Sequence, residues 1–172
     1  QISYVKSLDM FFAPKVLKSF EQRGISDFQL QVYVINMLKQ YAVNTEEQKE
    51  ISSESIIRFM HDIETDSIDL YSKLRKYRLV GDYCFFTASL RDGQLNKYFR
   101  NIDFCVSWGS TAYGKLGSMF NEMQKKEAAL YLKLSREQVF RTLVDAVKDA
   151  VDDDSSIDFG LVLPGSASDS GP

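Results

Sequence analysis

Seven side chains that could orient a small molecule lie in two aromatic-rich stretches of this 172-residue chain. The candidates are Asp82, Ser89, Asp103, Ser107, Trp108, Ser110 and Tyr113. Polar groups spread through aromatic surroundings are what an oriented small-molecule pocket needs, although hydrogen bonds between packed helices use the same residue types. The residues alone therefore leave both a ligand pocket and simple packing open for this group.

Asp82 is the most unusual of these candidates, because it stands between Gly81 and Tyr83 in an otherwise apolar stretch. A carboxylate in such company must be paired or hydrogen-bonded if it is buried. One interpretation is a carboxylate that binds a ligand or transfers protons. The other is the N-cap of a helix that begins after Gly81.

Catalytic and metal-binding groups are scarce in this sequence. His61 is the single histidine, and its spacing to Glu64 suits either a proton-transfer pair or a surface histidine beside a carboxylate. With only Cys84 and Cys105 in addition, the chain cannot build a closed four-ligand Cys/His zinc site alone. No Gly-rich phosphate loop occurs. We therefore expect no catalytic residue, no metal, no cofactor and two buried, reduced thiols.

Negative charge is concentrated at the C-terminal end of the chain. The formal net charge is −3, and five of the 24 acidic residues lie between 152 and 172, where no basic residue occurs. The other 19 acidic residues are matched by 21 basic ones, so the rest of the chain is nearly neutral. The cations of Lys73–Arg78 and Lys125–Lys126 are accordingly interpreted as solvated helix ends. Nucleic acid is not an expected partner, because a nearly neutral surface does not attract it. A membrane is not expected either, since no apolar run approaches about 18 residues.

Apolar spacing and capping signals predict a helical protein. The predicted helices span about 14–23, 27–43, 53–78, 79–90, 94–100, 103–124 and 136–151. Ser26–Gln29 and Ser135–Gln138 have the spacing of capping boxes, and the helix at 79–90 either stands alone or continues after a kink at Gly81. The expected fold is an all-α single-domain bundle of five to seven helices over residues 1–152. An acidic, Ser/Gly-rich tail, at least partly mobile, is expected over 153–172.

Glycines interrupt the helix predicted over 103–124. Gly109, Gly114 and Gly117 each cost about 1 kcal/mol relative to alanine inside a helix, so something should offset them. Ser110, Gly114 and Ser118 lie four residues apart and form a stripe of small side chains. Such a stripe lets another backbone or a ligand approach closely.

The chain resembles members of an uncharacterised family of bacterial cytosolic proteins of all-helical fold. The resemblance rests on FAPKVLKSF at 12–20, VYVINMLKQY at 32–41, LVGDYCFFTASL at 79–90 and IDFCVSWGSTAYGKL at 102–116. Similar proteins share a Gly-Asp before an aromatic-rich helix, then an aspartate, an aromatic pair and G-x-x-A-Y-x-x-L. This sequence departs from them at Phe104-Cys105, where the family often has Tyr-Tyr. The resemblance implies helices, including the one at 79–90, and a cytoplasmic location, but it implies no activity.

Two functions compete on this evidence. The first is a non-enzymatic helical protein that acts through protein contacts, including contacts in a homodimer, and the small-residue stripe supports it. The second is a small-molecule binding protein or enzyme with a pocket between the helices at 79–90 and 103–124. The second requires that Asp82 and Tyr113 point to the same side of the domain.

Overall fold

Seven helices and no strand occur in the residues that the computed structural model describes, which are 12–43, 51, 56–90 and 102–152. In chain order they are α1 (Ala13–Gln22), α2 (Phe28–Val43), α3 (Ile56–Thr65), α4 (Leu70–Leu90), α5 (Ile102–Glu122), α6 (Glu127–Leu134) and α7 (Glu137–Asp152). The expected all-α class is therefore confirmed. The helix predicted at 94–100 and the acidic tail at 153–172 lie outside the described residues.

Local signals set the ends of α1 and the start of α2. Pro14 occupies the first turn of α1, and Gly24, at φ 73°, ends that helix in the left-handed region. The N-terminus of α2 is capped by Asp27, whose Oδ1 accepts the backbone N–H groups of Gln29 at 3.0 Å and Leu30 at 3.3 Å. The predicted capping box therefore lies one residue too early, because the Asp27 carboxylate is a stronger acceptor than the Ser26 hydroxyl.

The long helix predicted from residue 53 to 78 is interrupted, and that prediction was wrong. α3 ends at Thr65 and α4 begins at Leu70. Asp69 lies between them and caps the start of α4. Its carboxylate accepts the backbone N–H of Ser72 at 2.9 Å and the Ser72 hydroxyl at 2.7 Å. α4 then continues through Gly81 to Leu90, so the helical prediction for 79–90 is confirmed and Asp82 is not an N-cap.

The helix predicted over 103–124 is confirmed within two residues, but α6 was not foreseen. α5 ends where Gln124 adopts a left-handed conformation at φ 57°, and the N–H of Lys125 bonds to the carbonyl of Phe120 at 2.9 Å. The second predicted capping box does not form. The Ser135 hydroxyl instead donates to the carbonyl of Leu132 at 2.6 Å, so it closes α6 rather than opening α7.

Helices α4 and α5 form the centre of the structure, and two glycines let other elements approach them. A Cβ on Gly81 would lie 2.4 Å from the ring of Tyr113, and one on Gly109 would lie 2.6 Å from the ring of Phe140. Within the small-residue stripe, Ser110 is buried and Gly114 faces Ser135 of the same chain in ordinary contact, whereas Ser118 is exposed. The helix of Trp108 is therefore central, although Trp108 itself is only half-buried.

Helix α7 also packs on α1. The buried Ser19 hydroxyl donates to the carbonyl of Ala146 at 2.7 Å, and Arg23 forms an ion pair with Asp149 nearby. Both cysteines are buried and neither forms a disulfide, as expected, and burial raises the pKa of the Cys84 thiol. None of the helices in the described ranges combines the length and apolar character needed to cross a bilayer.

Candidate functional site

A buried carboxylate joins three helices at the centre of the molecule. Asp82 on α4 is only 7 % exposed, and its Oδ1 accepts the hydroxyl of Tyr33 from α2 at 2.5 Å and that of Tyr113 from α5 at 2.6 Å. Two short, charge-assisted hydrogen bonds offset part of the desolvation cost of this carboxylate. Asp82 and Tyr113 therefore point to the same place, as the ligand-pocket hypothesis requires.

The absence of a side chain at Gly81 makes room for this arrangement. The ring of Tyr113 lies directly against Gly81, at a position where any side chain would collide with it. Tyr131 from α6 completes the group, with its ring centroid 5.5 Å from that of Tyr33 in an edge-on geometry. We call Tyr33, Asp82, Tyr113 and Tyr131 the tyrosine–aspartate cluster. Its rings pack closely enough to fix the directions of the hydroxyl groups.

The tyrosines of the cluster are held in their neutral, hydrogen-bond-donating form. Burial raises the pKa of Tyr33 and of Tyr113 well above the ordinary phenol value, and the charge of Asp82 raises both pKa values further. Burial also raises the pKa of Tyr131, an effect that the guanidinium of Arg78 opposes. At neutral pH these three tyrosines therefore keep their hydroxyl protons and can donate hydrogen bonds.

Two members of the cluster, Tyr33 and Asp82, line a pocket of about 450 Å³, which we call the first pocket. It lies between α2, α4 and the start of α6. Its lining comprises Phe28, Gln29, Val32, Tyr33, Asn36, Met37, Gln40, Arg78, Asp82, Lys126, Glu127 and Leu130. The predicted position between 79–90 and 103–124 differs from this one, because at that point α4 and α5 are in direct contact through Gly81 and Gly109.

The first pocket combines an apolar surface with balanced charge. Two cations, Arg78 and Lys126, and two carboxylates, Asp82 and Glu127, line it, so their formal charges cancel. Three amide side chains of α2 supply further donors and acceptors. The pocket can therefore hydrogen-bond to several groups without favouring a net anion or a net cation.

The other predicted site residues do not join the cluster. The Ser89 hydroxyl donates to the carbonyl of Phe85 at 2.8 Å, and the Ser110 hydroxyl donates to the carbonyl of Ser107 at 3.2 Å, both within their own helices. Asp103 forms an exposed ion pair with Arg141 at 2.6 Å. These contacts are hydrogen bonds within helices and a surface ion pair, which agree with packing, the alternative to a ligand pocket, for these three residues.

Ser107 and Trp108, the two remaining predicted site residues, lie on α5. Ser107 is exposed, and half-buried Trp108 has its ring centroid 6.2 Å from that of Phe104. His61 is exposed on α3, and Glu64 forms an ion pair with Lys115 at 3.0 Å. Within the ranges that the structure describes, no group of three or more His, Cys, Asp or Glu side chains is placed to hold a metal ion.

Sequence reasoning missed Tyr33 and the two cations of the first pocket. Tyr33 stands among apolar residues in the helix predicted over 27–43, which does not single it out, and the sequence predicts Arg78 and Lys126 to be solvated. One available signal was the apolar composition of the stretch at 27–43, because a tyrosine that packs among apolar residues needs a partner for its hydroxyl.

Comparison of the chain with protein-family models, with curated proteins and with solved structures gives no match. The resemblance to a bacterial helical family stays a prediction. The function must therefore be inferred from the chemistry of the pocket.

Proposed function

We propose that the chain binds a small organic molecule in the first pocket. One observation carries the proposal: the hydrogen-bonded pair of Tyr33 and Asp82 opens onto a pocket of about 450 Å³ instead of being sealed in the core. Small-molecule sites are typically concave, mostly apolar and about 300–1,000 Å³ in volume, with a few converging polar groups. The cluster holds its polar groups in place before binding, which reduces the entropy lost when a ligand is oriented.

The lining of the first pocket indicates the class of ligand. Its balanced charges favour a neutral or zwitterionic molecule, because a net charge would leave one of the charged side chains poorly compensated. Val32, Met37 and Leu130 provide an apolar surface for the body of the ligand. A hydroxyl, amide or ammonium group of the ligand would bind at Asp82.

Protein contact is the second candidate function, and Phe28 favours it. Phe28 is 73 % exposed and Val32, one turn further along α2, is 38 % exposed, both at the rim of the first pocket. Exposed apolar side chains beside a concavity are common at protein interfaces. The small-residue stripe that first suggested such contacts does not add support, since Gly114 faces Ser135 of the same chain.

The test of the ligand proposal is a thermal-shift screen of neutral and zwitterionic compounds. A compound present at about 100 times its Kd stabilises the folded chain by about 2.7 kcal/mol, which raises Tm by several degrees. Asn36→Trp places a large ring at an exposed lining position and should abolish the shift. Asn121→Trp, at an exposed position on α5 that does not line the pocket, is the matched control and should keep it.

Two results would contradict the proposal. A ligand-induced shift that survives Asn36→Trp would locate the ligand elsewhere, and a screen in which no compound stabilises the chain would remove the support for binding. Sedimentation velocity separates the second candidate. Self-association that Phe28→Ser abolishes would favour protein contact through the rim of the pocket.

A further inference from the structure

A second pocket of about 390 Å³ lies between the first half of α4, the end of α5 and α6. It shares Arg78 and Glu127 with the first pocket, so these two side chains form part of the wall between them. Its other lining residues differ from those of the first pocket. Binding in the second pocket therefore does not depend on the function proposed for the first.

Basic side chains dominate the charge of this second pocket. Arg75 and Arg78 reach it from successive turns of α4, and Lys125 reaches it from the turn after α5, against the single carboxylate of Glu127. From the sequence these cations are expected to be separate solvated helix ends, whereas the fold brings them to one concavity. Cations held together beside apolar walls repel one another and produce a positive potential that an anion relieves.

The position of Lys125 is fixed by the backbone. Gln124 adopts the left-handed conformation, and the N–H of Lys125 bonds to the carbonyl of Phe120, so α5 ends in a hydrogen-bonded turn. This turn brings Lys125 to the same pocket as Arg75, which lies about 50 residues earlier in the chain. The fold itself therefore assembles the cationic part of the pocket.

Aromatic rings form the apolar wall of the second pocket. Phe120 and Tyr131 are stacked, with ring centroids 5.7 Å apart and an interplanar angle of 16°. Tyr71, 74 % exposed, adds a third ring, and buried Leu74 and Leu116 complete the apolar lining. A flat or apolar ligand body packs well against such a surface.

We propose that the second pocket binds an organic anion with an aromatic body, its carboxylate, sulfonate or phosphate lying among Arg75, Arg78 and Lys125. The anionic group would form charge-assisted hydrogen bonds with these cations, and the aromatic body would cover the rings of Phe120 and Tyr131. The first pocket, whose charges cancel, does not offer this selectivity for an anion.

Fluorescence titration of the full chain with two dyes tests this proposal. The anionic dye is 8-anilinonaphthalene-1-sulfonate, and the uncharged one is N-phenyl-1-naphthylamine, which has the same aromatic body. Lys125→Gln should weaken sulfonate binding by roughly tenfold, the effect of losing one charge-assisted contact, and should leave the uncharged dye within about twofold. Lys126→Gln removes the neighbouring charge, which lines only the first pocket, and should leave both affinities unchanged.

Several outcomes would overturn the proposal. Equal weakening by Lys125→Gln and Lys126→Gln would indicate a general charge effect, and equal affinity for the two dyes would show that the anion is not recognised. Loss of sulfonate binding in Asn36→Trp would place the dye in the first pocket. Displacement of the dye by 1-naphthoate and by phenyl phosphate, but not by inorganic phosphate, supports an aromatic anion. Stronger displacement by a short oligonucleotide would assign the cations to nucleic acid instead.

Discussion

Replacing Gly81 with alanine should destabilise the protein, because the added methyl group would collide with the tyrosine–aspartate cluster. The new Cβ would lie 2.4, 2.6 and 2.8 Å from three atoms of the Tyr113 ring, far inside ordinary contact. That ring cannot move cheaply, since Tyr113 is fully buried and its hydroxyl is bonded to Asp82.

The expected magnitude follows from three opposing effects. Overpacking a filled core costs about 1–3 kcal/mol. Pulling the Tyr113 hydroxyl from Asp82 costs about 1–3 kcal/mol more. Alanine returns about 1 kcal/mol of helix propensity. The net expectation for Gly81→Ala is a loss of about 3 kcal/mol in the free energy of unfolding.

Urea denaturation followed by circular dichroism measures this loss, and two further variants make the test specific. Gly114→Ala is the matched control: its Cβ would meet Ser135 at 3.4 Å, so it should be neutral or stabilise the protein by up to about 1 kcal/mol. In a Tyr113→Leu background, Gly81→Ala should no longer be destabilising, because the ring is gone. If Gly81→Ala alone is as stable as the parent chain, the packing of α4 against α5 described above is refuted.

Two other predictions concern alkaline pH and buried hydroxyls. Because the pKa values of Tyr33, Tyr113 and Tyr131 are raised in the folded state, their contribution is complete below pH 10.0, the ordinary phenol value, and is lost as the pH rises further. Denaturation midpoints across pH 7–11.5 should be flat and then fall, with tyrosinate absorbance appearing late; normal phenol titration would contradict this. Ser19→Ala should lose about 1 kcal/mol with its bond to α7, whereas Thr87→Val should be neutral or gain about 1 kcal/mol, because the buried Thr87 hydroxyl has no hydrogen-bond partner within the described residues. A urea midpoint that rises in Ser19→Ala, or one that falls in Thr87→Val, would show that the hydrogen bonding of these hydroxyls is wrongly assigned.

The sequence predicts the helices of this protein better than their boundaries. Apolar spacing predicts α1, α2, α5 and α7, because most of the side chains on their packing faces recur at helical intervals. The break between α3 and α4 was missed because the apolar pattern runs across it. Only the Asp69 side chain, which bonds to Ser72, reveals the interruption.

Only some residues of the candidate site can be predicted from the sequence. Asp82 and Tyr113 attract notice because a lone carboxylate and a tyrosine stand in apolar stretches. Tyr33 is 49 residues from Asp82 in the chain, and no local pattern connects the two. The cations of the second pocket likewise come from two separate segments, so their convergence depends on the packing of α4, α5 and α6, which a single sequence does not encode locally.

The contact between α1 and α7 has a consequence for how the chain assembles. The hydrogen bond between Ser19 and Ala146 joins residues 127 positions apart, whereas α5 and α6 are neighbours in sequence. Closing a long loop is slower than forming adjacent helices, so this contact is expected to form late. During synthesis on the ribosome, α1 is the first of the described helices to emerge, and α7 is the last. Until then its apolar side, with Val16 and Phe20, has no α7 to cover it.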